Sequence, residues 1–125
     1  MIADLGLRGR TITSMYVEYA LYLRLSDRYN VTVESPFHLH LPDRSVELSP
    51  EADPDKVRAL LGRLVGHTIV DARVSEAGTL TIGFDDSTRL TVEPDPAYEA
   101  WNVSGPAGFL TVCMPGGELA IWTGS

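Results

Sequence analysis

A chain of 125 residues is long enough for one hydrophobic core and too short for two good ones, so a single domain spanning 1–125 is expected. Hydrophobic residues at 44% and charged residues at 22% exclude a disordered chain, and no apolar run approaches the ~20 residues of a membrane helix. Seventeen acidic against ten basic side chains leave a net charge of -7, a sign that repels nucleic-acid backbones and anionic lipid.

From Met15 to Leu25 the odd positions are Met15, Val17, Tyr19, Leu21, Leu23 and Leu25, a period of two that predicts one long strand with one buried face. Asp27-Arg28-Tyr29 suits a short loop, after which Val31, Val33, Phe37, Leu39 and Leu41 resume the alternation. Keeping the apolar faces together pairs Leu25 with Val31 and Leu23 with Val33 across a three-residue loop, with Pro36 bending the second strand. Ser45 to Leu48 reads as a short extended piece.

A helix is predicted near residues 54–65. Asp53 is placed to cap it, Pro54 suits its first position and Asp55 meets the positive end of its dipole. Val57, Leu60, Leu61 and Leu64 follow the spacing of one apolar stripe, and Gly66 ends the element. A meander follows, with Val70, Ala72 and Val74, then Leu80, Ile82 and Phe84, then Leu90 and Val92 facing inward. Its first turn, Glu76-Ala77-Gly78, puts glycine where a positive φ is needed, and Asp85-Asp86-Ser87-Thr88 makes the second.

Pro94-Asp95-Pro96 breaks the sheet before a strand expected over 98–103. A final hairpin runs from Phe109 to Trp122 around Gly116-Gly117. Leu110, Val112, Met114, Leu119 and Ile121 are assigned to one face, and Phe109, Cys113, Ala120 and Trp122 to the other. Strands apolar on both faces are expected at the centre of a sheet or between layers.

Two histidines on one strand face, His38 and His40, are the first candidate for chemistry. The inferred register sets Glu18 opposite His38 and Tyr16 opposite His40, with Glu34 nearby; two imidazoles and a carboxylate are a ligand set for a divalent metal. The plainer alternative is a solvated polar face. Binding roles are weighed against structural ones for Tyr98, Glu99 and Trp101, and for Glu118 and Trp122, because a charge beside a large aromatic suits either a core rim or a partner surface.

His67 is expected to bond helix-end carbonyls, and Cys113, set in Thr111-Val112-Cys113-Met114, to sit in the core rather than act as a nucleophile. Asp85-Asp86 and Asp53/Asp55 read as turn and cap acids. Gly116-Gly117 precedes a strand rather than a helix and so is no phosphate loop. No nucleotide motif or nucleophile elbow is present, no cofactor is implied, and no catalytic residue is assigned.

The N-terminus Met1-Ile2-Ala3-Asp4-Leu5 has neither the basic nor the apolar region of a secretory signal, and the lone cysteine excludes an internal disulfide. A cytoplasmic location is expected, so Asn30-Val31-Thr32 and Asn102-Val103-Ser104 are chance sequons.

The elements Tyr98-Glu99-Ala100-Trp101, Gly105-Pro106 and Val112-Cys113-Met114-Pro115-Gly116-Gly117-Glu118-Leu119-Ala120-Ile121-Trp122 carry a resemblance. So, more weakly, do Leu21-Tyr22-Leu23, Glu34-Ser35-Pro36-Phe37, Leu48-Ser49-Pro50 and Leu80-Thr81-Ile82-Gly83-Phe84-Asp85. On these the chain resembles a bacterial, mainly actinobacterial, family of small proteins of unknown function. The resemblance implies no activity and no catalytic residues. By size and charge, small acidic proteins of this kind are similar to immunity proteins of bacterial toxin systems.

The expectation is therefore an α+β protein: a mainly antiparallel sheet, curved, partly closed or split into two layers, with one amphipathic helix. Its expected role is a non-enzymatic, immunity-type protein that binds a basic, toxin-like partner through an acidic surface. The alternative is a small-ligand or metal binder, or an enzyme, using the His38/His40/Glu18 face or a pocket near Trp101. A homo-oligomer formed through a sheet edge is a third expectation.

Overall fold

The protein's structure, a computed structural model, describes residues 5–123. The segment 1–4, on which the expectation of no secretory leader partly rests, lies outside the described residues, as do 124 and 125. In chain order the strands open with β1 (Ile12–Glu18), β2 (Ala20–Leu25), β3 (Asn30–Val33), β4 (Phe37–His40) and β5 (Ser45–Leu48). Helix α1 (Pro54–Leu61) follows, then β6 (Ile69–Val74), β7 (Leu80–Phe84) and β8 (Arg89–Val92). The chain closes with β9 (Trp101–Ser104), β10 (Phe109–Cys113) and β11 (Leu119–Thr123).

These strands form two open antiparallel sheets. One has six strands in the order β1-β2-β3-β9-β10-β11, the other five in the order β5-β4-β8-β7-β6. The expected α+β class, mainly antiparallel β with one helix, is what the structure shows. A single apolar cluster joins the two sheets, with Leu21, Val31, Val33, Val103 and Trp101 from the first and Phe37, Leu39, Leu80, Ile82 and Leu90 from the second. At one corner the sheets are stitched together by backbone bonds from Gly9 N to Ile69 O and from Ile12 N to His67 O.

The long strand expected over Met15–Leu25 is a hairpin that turns at Tyr19, whose φ is 62°. Val17 pairs with Leu21 and Met15 with Leu23. Odd residues thus face odd residues, and the alternation runs through the turn without a break in period. The second expected strand is also two. Val31 and Val33 belong to β3, the chain crosses between sheets at Glu34–Pro36, and Phe37 and Leu39 begin the other sheet. Pro36 therefore marks a crossover rather than a bend within one strand. Leu23 pairs with Val31 and Leu21 with Val33, two residues from the expected register but on the same face. The backbone bond from Leu25 N to Tyr29 O encloses a loop of the expected three residues, but over Ser26–Arg28, one position before the expected Asp27-Arg28-Tyr29.

Helix α1 buries Val57, Leu60 and Leu61, and a 3-10 turn over Gly62–Leu64 carries the stripe on to Leu64. Asp53 does not cap the helix through its side chain. Its Oδ2 accepts from Ser49 N at 3.1 Å and so folds the preceding turn. On β6 a bulge between Ile69 and Asp71 turns Ile69 inward and Val70 out to solvent, where an inward Val70 was expected.

Strand β9 begins at Trp101, so Tyr98 and Glu99 lie in the loop before it. Two expectations for the last hairpin are overturned. Cys113 pairs with Leu119 and Val112 with Ala120, which regroups the faces as Thr111, Cys113, Leu119 and Ile121 against Leu110, Val112, Ala120 and Trp122. Strand β11 is also an edge rather than a central strand, with Ile121 and Trp122 exposed.

The Gly116-Gly117 turn has a structural task. Gly117, at φ 99°, lies so close to the Ala77–Gly78 turn that a Cβ there would collide with the Ala77 carbonyl oxygen. Trp101 Nε1 donates to Gly78 O at 3.0 Å, and Cys113 Sγ contacts the same oxygen at 3.5 Å. Trp101, Cys113 and Gly117 thus converge on one turn of the opposite sheet and lock the layers together.

Candidate functional site

The sheet crossover, the loop before β9 and two turns meet around an open cleft of about 770 Å³. Its lining includes Glu34, Ser35 and Pro36 from the crossover, Asp95, Ala97, Tyr98 and Glu99 from the loop, Glu51 and Pro115. Each wall is held by backbone chemistry. Glu34 N and Ser35 N donate to Ala100 O at 2.8 and 3.3 Å, fixing the crossover against the start of β9. Asp95 Oδ1 accepts from Ala97 N at 2.8 Å and Tyr98 N at 3.1 Å, which curls the loop around Pro96. Gly116 N donates to Asp95 O at 2.8 Å and ties that loop to the β10–β11 turn.

Four carboxylates, Glu34, Glu51, Asp95 and Glu99, share this cleft without a lysine or arginine in its lining. Burial and then the neighbouring charge of Glu99 push the Glu34 carboxyl above its ordinary value. Both causes disfavour the anion, and a cation entering the cleft would relieve the second. Tyr98, 74% exposed, adds an aromatic surface beside the acids. The arrangement can hold a positive charge against a ring.

Of the five residues weighed for binding, the cleft takes Tyr98 and Glu99. Trp101 is fully buried with its indole N–H satisfied, so it belongs to the core. Glu118 is exposed beyond the Gly116-Gly117 turn, and Trp122 lies on the outer face of β11; neither lines the cleft.

The inferred His38/His40/Glu18 face is not assembled. Glu18 stands beside the Tyr19 turn in the six-stranded sheet, whereas His38 pairs with Glu47 and Thr91, and His40 with Ser45 and Arg89, in the five-stranded one. Tyr16, expected opposite His40, stacks instead on Tyr22 with centroids 4.5 Å apart. The histidine rings do stack, 6.3 Å apart. His40 Nδ1 lies 2.9 Å from Ser45 Oγ, and burial, Arg89 and His38 together hold its pKa below the ordinary value. Among the described residues no group of three His, Cys, Asp or Glu side chains is placed to hold a metal ion.

His67 meets the expected helix-end carbonyl through its backbone, its N–H donating to Leu64 O at 2.9 Å, while its ring turns away. Its Nδ1 lies 2.6 Å from Asp85 Oδ1, and this hydrogen bond is the main cause that lowers the Asp85 pKa. Cys113 is buried and its thiol pKa is raised by that burial, which is the opposite of nucleophile activation.

Glu51 and Asp95 were not among the sequence candidates. They come from segments far apart in the chain, one before α1 and the other between prolines, and the pairing of β5 and β8 on either side of β4 brings them together. The one local signal was Pro94-Asp95-Pro96 itself, where an aspartate between prolines marks a built turn.

Fold and site together define a mainly β domain of two open sheets with an acidic surface cleft at the crossover. The model of a family of unknown function, DUF6188, matches residues 3–123, and the chain belongs to that family. No curated protein and no solved structure matches it. Among the described residues no helix is long and apolar enough to cross a membrane.

Proposed function

We propose that this is a non-enzymatic binding protein whose acidic cleft receives lysine or arginine side chains of a basic protein partner, in the manner of a cytoplasmic bacterial immunity protein that occupies a toxin. The observation that carries this reading is the crowding of Glu34, Glu51, Asp95 and Glu99 around one cleft, with the Glu34 pKa raised by burial and by Glu99. Acids gathered around one cleft, with Glu34 held there at a cost to its ionised state, are a receptor for cations. The net charge of -7 supports it by steering a basic partner towards the surface. Exposed Tyr98 supplies the apolar contact that such an interface centres on.

Calorimetric titration with an arginine- and lysine-rich peptide tests the chemistry directly. Binding should weaken as salt rises, and the double variant Glu34→Gln/Glu99→Gln should lose about tenfold in affinity, or ~1.4 kcal/mol. Binding that ignores both changes would refute the cleft as the site. Co-expression with an adjacent toxin-like gene tests the immunity role: rescue of growth by the wild type and not by the double variant is expected, and no rescue by the wild type would refute it.

A further inference from the structure

The ends of the two sheets are treated unequally. On β1, the backbone groups of Ile12 are bonded by Gly66 and His67, and Val17 O accepts from Arg58 Nη2 at 3.0 Å. On β6, Ile69 is bonded to Gly9 and Arg10, a bulge follows, and Asp71 and Arg73 form an ion pair of 2.9 Å. Strand β5 is only four residues long and carries exposed Glu47. Short edges, charges, bulges and covering groups are the devices that keep strands from pairing with other chains. Strand β11 has none of them. Its sequence, Leu119-Ala120-Ile121-Trp122-Thr123, holds no charge, no proline and no bulge, and Ile121 and Trp122 are 47% and 54% exposed.

The direction of its free hydrogen-bonding groups follows from the ladder. Met114 N donates to Glu118 O, and on the other side of β10 Gly105 N donates to Phe109 O. Alternation along β10 then gives Ala120 and Trp122 to β10 and points the N–H and C=O of Leu119, Ile121 and Thr123 away from the sheet.

We infer that β11 pairs antiparallel with β11 of a second copy of this chain, about a two-fold axis at Ile121. That register sets Ile121 opposite Ile121 and Leu119 opposite Thr123. These are the residues whose backbone groups face outward, so about six intermolecular hydrogen bonds form. The intervening pairs put Trp122 of each copy over Ala120 of the other, a large side chain against a small one on the outer face. Leu110 and Val112, the neighbours of Trp122 and Ala120 on β10, continue this apolar strip in both copies. The strand is complementary to itself, and its lack of charge keeps the repulsion between two acidic subunits away from the seam. The two sheets would become one of about twelve strands. The dimer does not depend on the acidic cleft or on what binds there.

Sedimentation equilibrium of the full chain over a series reaching the millimolar range tests it. The wild type should show a monomer–dimer equilibrium and Ile121→Val should keep it. Ile121→Pro, which removes an outward N–H that β10 does not use, and Ile121→Lys, which sets two ammonium groups face to face, should each reduce association at least tenfold. A wild type that stays monomeric throughout the series overturns the inference. So does a dimer that persists unchanged in Ile121→Lys, a variant whose exposed side chain leaves the fold intact.

Discussion

Replacing Gly117 by alanine should cost far more than replacing its neighbour Gly116, although both have positive φ, 99° and 86°. At Gly116 a Cβ meets nothing within 4 Å, so the cost is backbone strain alone, about 1–2 kcal/mol. At Gly117 the same strain applies, and the new methyl also runs into the Ala77 carbonyl oxygen and lies 3.4 Å from Pro94. Backbone cannot step aside as a flexible side chain can. The two turns must separate, which loosens the 3.0 Å bond from Trp101 to Gly78 O, worth ~1 kcal/mol, and opens packing around a fully buried indole. The total for Gly117→Ala is about 3–5 kcal/mol, a large part of the ~5–15 kcal/mol by which a domain of this size is held folded. Urea unfolding followed by tryptophan emission measures the difference. With a mid-range slope of ~2 kcal/mol per molar and a mid-range difference of ~2.5 kcal/mol, the Gly117→Ala midpoint should fall about 1 M below that of Gly116→Ala. Midpoints that coincide would refute the close approach of the two turns as a source of stability.

Trp101→Phe removes the indole donor and part of a packed volume, while Cys113 remains beside Gly78 O; a loss of about 2–3 kcal/mol in urea unfolding is expected. Glu34→Gln should be slightly more stable than the wild type at neutral pH, by under ~0.5 kcal/mol, because the folded-state pKa is raised and ionisation there opposes folding. The advantage should disappear below the ordinary 4.5, where both forms are neutral, and thermal unfolding at the two pH values checks it. Asp85→Asn should destabilise the protein above the ordinary 3.8, since the folded pKa is lowered by the His67 bond, and the gap in melting temperature should close as pH falls below that value. Cys113, buried with its thiol pKa raised, should react with a thiol reagent only in step with unfolding, as absorbance kinetics in increasing urea would show.

Faces were more legible in the sequence than partners. Val31, Val33, Phe37 and Leu39 are all buried, as their alternation predicts, but alternation is indifferent to a crossover that preserves parity, so two sheets read as one. The same blindness hid the Tyr19 turn. Helix α1 and Gly78 were legible because local chemistry decides them: proline at the first helical position, an apolar stripe, and a glycine at φ 94°. Composition misled at β11, where apolar residues on both faces suggested burial and instead mark an unpaired edge. Of the site, Tyr98 and Glu99 were visible as an aromatic beside an acid. Glu51 and Asp95 were not, because their meeting depends on long-range packing that no local pattern encodes.

The pairing of β3 with β9 sets Val31 beside Val103 across more than half of the chain. During synthesis the first hairpins must therefore wait, with one flank of β3 open, until Trp101–Ser104 has left the ribosome. Loops of that length close slowly, and a nascent chain stalled or truncated before β9 would present an unsatisfied ribbon prone to clumping. The fate of β3 is thus decided late, at the moment β9 arrives.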